Sequence, residues 1–143
     1  MSDEQSGETD IGVYLLVIEL AQRKEISVGA LGKRVFYPGF YVYSGSAKRG
    51  LSKRIERHLR TEKKTHWHVD YLLPHSAVVT PFPIHTTKDI ECALAGLVRT
   101  RSDRSIGGFG SSDCRCPSHL AYFKRSPLED GRLETVFDEL SKL

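Results

Sequence analysis

The length, composition and charge of the chain exclude several classes of protein. With 143 residues, of which 39% are hydrophobic and 27% charged, it has the make-up of one globular domain rather than of a collagen, a coiled coil or a disordered chain. Its longest apolar stretch, residues 13–18, is far shorter than the roughly 18 residues that a membrane helix needs. Three cysteines, an odd count, and an acidic N-terminus without a signal pattern argue against a disulfide-stapled secreted domain, so a cytoplasmic location is expected.

The first third of the chain predicts a tail and then a small sheet. Residues 1–10 are acidic and lack large apolar groups, so they are expected to form a flexible tail on a domain that spans residues 11–143. Residues 11–20 are almost continuously apolar, which is typical of a central strand covered on both faces. Branched and aromatic residues between positions 26 and 43, interrupted by Gly32 and Pro38, predict two further short strands in an antiparallel meander.

Helical patterns dominate the rest of the chain. Leu51, Ile55 and Leu59 recur every four residues, which predicts a basic helix over residues 51–62 with one apolar stripe. The other expected elements are a short apolar piece at 69–73, an edge strand at 77–84, a helix at 87–101 starting near Thr86 or Thr87, a loop at 107–117, a strand at 119–123 and a helix at 133–143. The expected fold is α+β: one domain with a three-stranded antiparallel sheet, flanking helices and a C-terminal extension.

Positive charge is concentrated in one segment. Residues 48–64 contain eight basic and two acidic residues, a net +6, which leaves −3 for the remainder of a chain whose total is +3. A local positive field of this kind suits a polyanionic partner, although a solvated helix face would have the same composition.

Five positions in order along the chain carry a resemblance to a known family. They are the tripeptides GVY at 12–14 and YSG at 43–45, then Arg54, His58 and Glu91. The tripeptides and the stretch SAKRGLSKRIERH that follows the second one resemble those of the GIY-YIG nucleases, in which Arg54 and His58 match the arginine and the histidine. Glu91 matches the family's metal-binding glutamate. The resemblance implies a metal-dependent endonuclease that hydrolyses phosphodiester bonds.

The resemblance also implies a role for each of these side chains. Arg54 and His58 are spaced to share one helix face beside the apolar stripe and to point into a cleft, where the Arg54 guanidinium would clamp phosphate. Glu91 alone would be enough to bind Mg²⁺ or Mn²⁺. Tyr14 is the first choice and Tyr43 the second for taking a proton from water, which requires that Arg54 or the metal lower a pKa that is ordinarily near 10. The alternative for both tyrosines is simple packing in the sheet.

A narrower resemblance extends over nearly the whole chain. HWHVDYLL at 66–73, the Glu91-Cys92 pair and GFGSSDCRCPSHL at 108–120 are similar to the Uri-type branch of the superfamily. The family's late phosphate-binding asparagine has no match, and Ser111, Ser112 and Asp113 are the candidates to replace it. The residues predicted to bind nucleic acid are Lys48, Arg49, Lys53, Arg57, His66, Trp67, His68 and Ser112. The expected partner is DNA, with either broad sequence tolerance or a preference for single strands, and RNA stays open as an alternative.

Two other functions compete with the nuclease. One is a nucleic-acid-binding module that has the fold but does not cleave; Glu91 argues against it, because phosphate binding alone would not favour an acid beside a basic groove. The other is a zinc-stabilised interaction domain, whose candidate ligands are His66, His68, Cys114, Cys116 and His119. The Cys-x-Cys spacing is cramped for such a site, so the nuclease is preferred.

Overall fold

The structure is a computed structural model, and it describes residues 10–111 and 115–143. The strands are β1 (Gly12–Leu20), β2 (Lys24–Ser27), β3 (Lys33–Phe36), β4 (Gly39–Ala47), β5 (Val78–His85), β6 (Arg104–Ser105) and β7 (Leu120–Phe123). The helices are α1 (Leu51–Leu59), α2 (Val69–Leu72), α3 (Glu91–Arg101) and α4 (Arg132–Leu140). Single 3-10 turns occur at Gly29–Leu31 and Leu73–His75. Within residues 10–111 and 115–143, no helix is long and apolar enough to cross a bilayer.

One sheet of five strands organises the domain. Its strand order is β5-β1-β4-β7-β6, and every pair in it is antiparallel. The α+β class is therefore confirmed, whereas the prediction of three strands is wrong. The sheet is larger because β5 and β7 flank the β1–β4 pair. Pro81 and Pro83 are tolerated in β5 because it lies at the edge of the sheet.

The predicted meander is divided between two sheets. Among the described residues, β2 and β3 pair only with each other and form a two-stranded sheet. In contrast, β4 pairs with β1 over nine residues. Ile26 and Phe36 anchor this hairpin in the main core, where both are buried. A turn at Pro38 and Gly39 leads into β4. Glycine is needed in this turn because Gly39 has a φ of 142°, which other residues rarely adopt.

The central strand β1 is buried on both faces, as its continuous apolar run predicts. Successive side chains of a strand point to opposite faces, so its residues serve two cores. Tyr14, Leu16 and Ile18 pack in one core with α1 and α2. Val13 and Leu15 pack in the other core with α3 and α4. The C-terminal helix is thus an integral part of the second core rather than an appendage.

Two helix predictions need correction. Leu59 is 47% exposed, and the buried face of α1 consists of Leu51, Ile55 and His58. Leu59 is the last residue of the helix, and its side chain lies off the buried face. Helix α3 begins at Glu91 rather than near Thr86, whose hydroxyl accepts a hydrogen bond from the Lys88 N–H in a separate turn.

The segment predicted to be a tail includes one residue with fixed partners. Asp10 is buried, and its carboxylate accepts hydrogen bonds from the backbone N–H of Ser52 at 2.9 Å and from the Ser52 hydroxyl at 3.1 Å. Burial opposes its ionisation, but these hydrogen bonds and the neighbouring His85 outweigh burial and lower the pKa of Asp10. Asp10 therefore fixes the start of α1, while residues 1–9 lie outside the described part of the chain.

Candidate active site

The five residues predicted to be catalytic come together around one end of the β1–β4 pair. Tyr14 lies on β1 and Tyr43 on β4, with ring centroids 6.3 Å apart. Arg54 and His58 project from α1, and Glu91 is the first residue of α3. Residues up to 77 positions apart in sequence therefore meet because α1 and α3 both pack near these strands.

The glycines of the two tripeptides are required by close packing. Gly45 lies opposite Tyr14 in the β1–β4 register, and a Cβ at this position would overlap the Tyr14 ring and hydroxyl. A Cβ at Gly12 would overlap the carbonyl oxygen of Ile84 on the adjacent strand β5. The pattern of glycine and tyrosine in the tripeptides thus lets the Tyr14 ring lie across β4.

Tyr14 and His58 form a buried pair. The Tyr14 hydroxyl lies 2.7 Å from His58 Nε2, and both residues are 2% exposed. Burial raises the pKa of Tyr14 well above its usual range, with the Arg54 charge acting in the opposite direction. Burial also lowers the pKa of His58 from 6.5 to about 4, against the attraction of Asp70. At neutral pH the pair consists of a phenol and a neutral imidazole.

These directions correct one expectation. A role for Tyr14 as the base was expected to need a lowered pKa, but burial outweighs Arg54 and raises the pKa of Tyr14. Burial likewise raises the pKa of Tyr43. A phenolate on either residue is therefore disfavoured in the folded protein, and a proton can leave Tyr14 only as it passes to an acceptor such as His58.

Asp70, which the sequence argument did not identify, lies behind this pair. Its Oδ1 is 3.9 Å from His58 Nδ1, beyond hydrogen-bond range. The carboxylate accepts two hydrogen bonds from the Arg57 guanidinium, at 3.1 and 3.2 Å, and two from the backbone N–H groups of His66 and Trp67. Burial opposes its ionisation, but these hydrogen bonds prevail and lower the pKa of Asp70. A fixed negative charge thus faces the far side of the imidazole.

Glu91 is held as a carboxylate at the accessible side of the cluster. The Ser46 hydroxyl donates to Glu91 Oε1 at 2.5 Å, and His119 Nδ1 lies 3.2 Å from Oε2. Burial opposes ionisation, but the hydrogen bonds from His119 and Ser46 outweigh it and lower the pKa of Glu91. The side chain keeps 30% of its surface exposed, so its oxygens can still reach a ligand.

Arg54 is joined to Glu91 through a single residue. Its Nη1 donates to the carbonyl oxygen of Ser46 at 2.7 Å, while the hydroxyl of the same serine binds Glu91. The guanidinium carbon lies 4.7 Å from the centre of the Trp67 ring, and that of Arg57 lies 4.5 Å from it. A cleft of about 290 Å³ lined in part by Ser46 and Glu91 adjoins this group. The arrangement places a cation and a carboxylate where both can contact one ligand.

The residues predicted to bind nucleic acid differ in their exposure. Lys48, Arg49, Lys53 and His66 are exposed, and Lys48 also lines the cleft beside Glu91. Arg57 is committed to Asp70, Trp67 is partly buried beneath two guanidinium groups, and His68 Nδ1 accepts the N–H of Gly110 at 2.8 Å. Ser112 lies outside the described residues.

The predicted zinc ligands are only partly brought together. Cys116 and His119 cluster with Cys92, and their ligand atoms lie within 4.8 Å of one another. Among the described residues, His66 and His68 are not members of this group. Cys114 lies outside the described residues. Cys92 was not predicted as a ligand although it follows Glu91 directly, because Cys116 and His119 come from a segment that is distant in sequence.

Comparison with known proteins gives one assignment. No curated protein matches the chain, and no solved structure matches it. A family model described as a domain of unknown function, DUF123, matches residues 13–142, which include both cores and the five residues predicted to be catalytic. The chain therefore belongs to the DUF123 family.

Proposed function

We propose that this protein is a metal-dependent endonuclease of the GIY-YIG type, of the Uri-like branch, that hydrolyses phosphodiester bonds of nucleic acid in the cytoplasm. The observation that carries the proposal is the link from Arg54 through Ser46 to Glu91, beside the buried Tyr14–His58 pair. This group supplies a fixed cation, a carboxylate and a proton acceptor within one small region. Hydrolysis of a phosphodiester needs these three functions.

Arg54 is the proposed phosphate clamp. Its guanidinium is always charged and has a planar set of donors that matches two phosphate oxygens. One donor is used on Ser46, and the stack on Trp67 fixes the plane of the group, so the remaining donors are oriented before substrate arrives. Such preorganised charge stabilises the transition state without reorganisation.

Glu91 is the proposed ligand of Mg²⁺ or Mn²⁺. The donor set fits a hard cation, because Mg²⁺ keeps several waters and needs only one or two protein carboxylates. The low pKa of Glu91 keeps it ionised, and Ser46 and His119 orient both of its oxygens. When bound, the cation would stabilise the charge on the leaving 3′ oxygen.

The Tyr14–His58 pair is proposed to move the proton. Tyr14 would take a proton from the attacking water while its own hydroxyl proton passes to His58 Nε2 along their hydrogen bond, in which oxygen and nitrogen are 2.7 Å apart. The Asp70 carboxylate would stabilise the imidazolium that forms. This route avoids a buried phenolate, which the raised pKa of Tyr14 makes unfavourable. It forms an imidazolium instead, which the lowered pKa of His58 also disfavours, so the Asp70 charge has to offset that cost.

The exposed basic residues are proposed to position the strand. Lys48, Arg49 and Lys53 lie on the loop before α1 and on its first turn, close to the cleft that contains Glu91. Contacts of this kind go to phosphates and carry no sequence information. We therefore expect broad sequence tolerance, with DNA favoured and RNA as the alternative substrate.

A second candidate function is a binding module that does not cleave. The observation that favours it is the burial of both tyrosines, which raises the pKa of each. Such a module would need the exposed lysines but not Glu91. The two functions therefore differ in what Glu91 does.

The test is cleavage of end-labelled single-stranded and duplex DNA and RNA in Mg²⁺, Mn²⁺ or EDTA. We expect metal-dependent cleavage that Glu91→Gln reduces about a hundredfold or more, with binding of the strand retained. Glu134→Gln is the matched control, because Glu134 is an exposed carboxylate in the first turn of α4. Binding without cleavage in every metal would support the binding module instead, and equal cleavage by Glu91→Gln would remove Glu91 from the mechanism.

A further inference from the structure

Beside the proposed active site lies a group of ligands with a different chemistry. Cys92 is the second residue of α3, Cys116 lies in the segment that leads to β7, and His119 immediately precedes that strand. Their Sγ and imidazole nitrogen atoms lie within 4.8 Å of one another, and Cys92 Sγ is 4.0 Å from His119 Nε2. Two sulfurs and one nitrogen thus converge from two separate parts of the fold.

The hydrogen bonds of His119 indicate which ring nitrogen carries the proton and which is available as a metal ligand. Nδ1 lies 3.0 Å from the carbonyl oxygen of Ser44 and 3.2 Å from Glu91 Oε2, and both of these oxygens can only accept. The proton is therefore on Nδ1, and Nε2 directs its lone pair toward Cys92. A histidine that donates its other N–H to a carbonyl or a carboxylate is the usual arrangement of a metal-binding imidazole. The side chain is 1% exposed and so is fixed in this orientation.

One separation is close to that of a tetrahedral centre, and all three lie within 4.8 Å. Zinc bonds of about 2.3 Å to sulfur and about 2.0 Å to nitrogen place neighbouring ligand atoms roughly 3.5 to 3.8 Å apart. The observed 4.0 Å between Cys92 Sγ and His119 Nε2 needs little change to reach that value. Thiolate and imidazole ligands select zinc over Mg²⁺, which prefers oxygen. Among the described residues these three side chains supply three of the four ligands that a tetrahedral zinc centre needs.

We propose that Cys92, Cys116 and His119 bind one Zn²⁺, each thiol releasing its proton to solvent. The ion would tie the segment before β7 to the N-terminal end of α3. Because His119 also contacts Glu91, the zinc would fix the orientation of that carboxylate. This zinc site is separate from the magnesium proposed for Glu91, and it does not depend on nuclease activity.

The test is elemental analysis of the full-length protein purified from zinc-supplemented medium, together with Co²⁺ substitution. We expect about one equivalent of zinc per chain and, with Co²⁺, the charge-transfer absorption of thiolate ligands. Cys92→Ser and Cys116→Ser should each lose the zinc and the thiolate absorption. His75→Gln, which alters an exposed histidine remote in sequence from the cluster, should keep both.

Three results would overturn the proposal. The first is wild-type protein that holds no zinc and gives no thiolate absorption with Co²⁺. The second is retention of full zinc by both serine variants. The third is a disulfide between Cys92 and Cys116 in the purified protein, detected by mass spectrometry. The Co²⁺ spectrum of the wild type reports thiolate ligation directly, so the test does not depend on the folding of the variants.

Discussion

Replacing Tyr14 with Phe removes one oxygen from the centre of the molecule and leaves the ring in place. The lost contact is the 2.7 Å hydrogen bond to His58 Nε2, in which both residues are buried. Among the described residues His58 Nδ1 already has no hydrogen-bond partner, so the variant would leave both ring nitrogens unsatisfied in the core. A buried polar group that loses its partner costs about 1 to 3 kcal/mol, and we expect Tyr14→Phe to lower the free energy of unfolding by that amount.

The same variant separates stability from catalysis. Urea denaturation at neutral pH measures the loss of stability, with Tyr37→Phe as the control because Tyr37 is 42% exposed. The cleavage rate at saturating substrate should fall by about 10² to 10⁴ if the hydroxyl relays a proton. A loss of stability no larger than that of Tyr37→Phe would contradict the buried pair. A stability loss with an unchanged cleavage rate would refute the relay and leave Tyr14 with a packing role.

Two further predictions concern the same region. Burial lowers the pKa of His58 from 6.5 to about 4. Between pH 6.5 and pH 4, therefore, His58 binds a proton in the unfolded chain but not in the folded one. The free energy of unfolding should therefore be highest above pH 6.5 and fall by about 3 kcal/mol as the pH approaches 4, which urea denaturation across this range measures; a flat profile would contradict the burial of His58. Gly45→Ala should destabilise the fold by about 1 to 3 kcal/mol, because its Cβ would overlap the Tyr14 ring. In thermal or urea unfolding, Gly96→Ala in α3 is its control and should be neutral or stabilising by up to about 1 kcal/mol; equal effects would contradict the overlap.

Local patterns predicted the elements that carry the site. The apolar run of β1 predicted a strand buried on both faces, because alternate side chains of a strand always serve opposite faces. Helical spacing predicted α1, α3 and α4, with errors of a few residues at their ends. The number of strands was underestimated, since strand pairing between β1 and β5 or β4 and β7 joins segments that are far apart in sequence.

The parts of the site that sequence could not predict depend on contacts between distant segments. Ser46 binds Glu91 across 45 positions, and His119 contacts the carbonyl of Ser44 across 75. Asp70 was not identified because only the folded chain brings it to Arg57 and His58. The i, i+4 spacing placed Arg54 and His58 on one face, but the rotation of α1 about its axis decides that His58 is buried while Arg54 is partly exposed.

That difference in burial divides the candidate site into two halves with different chemistry. Tyr14, His58 and Asp70 are nearly inaccessible, so they can move protons but cannot bind a bulky substrate. Arg54 and Glu91 are partly exposed, and Glu91 and Ser46 line the cleft, so a phosphate can reach this half of the site. Ser46 joins the exposed pair, because its carbonyl accepts from Arg54 and its hydroxyl donates to Glu91. Substitution of Ser46 by Ala keeps the carbonyl and removes only the hydroxyl, so it should release the orientation of Glu91 while Arg54 stays in place.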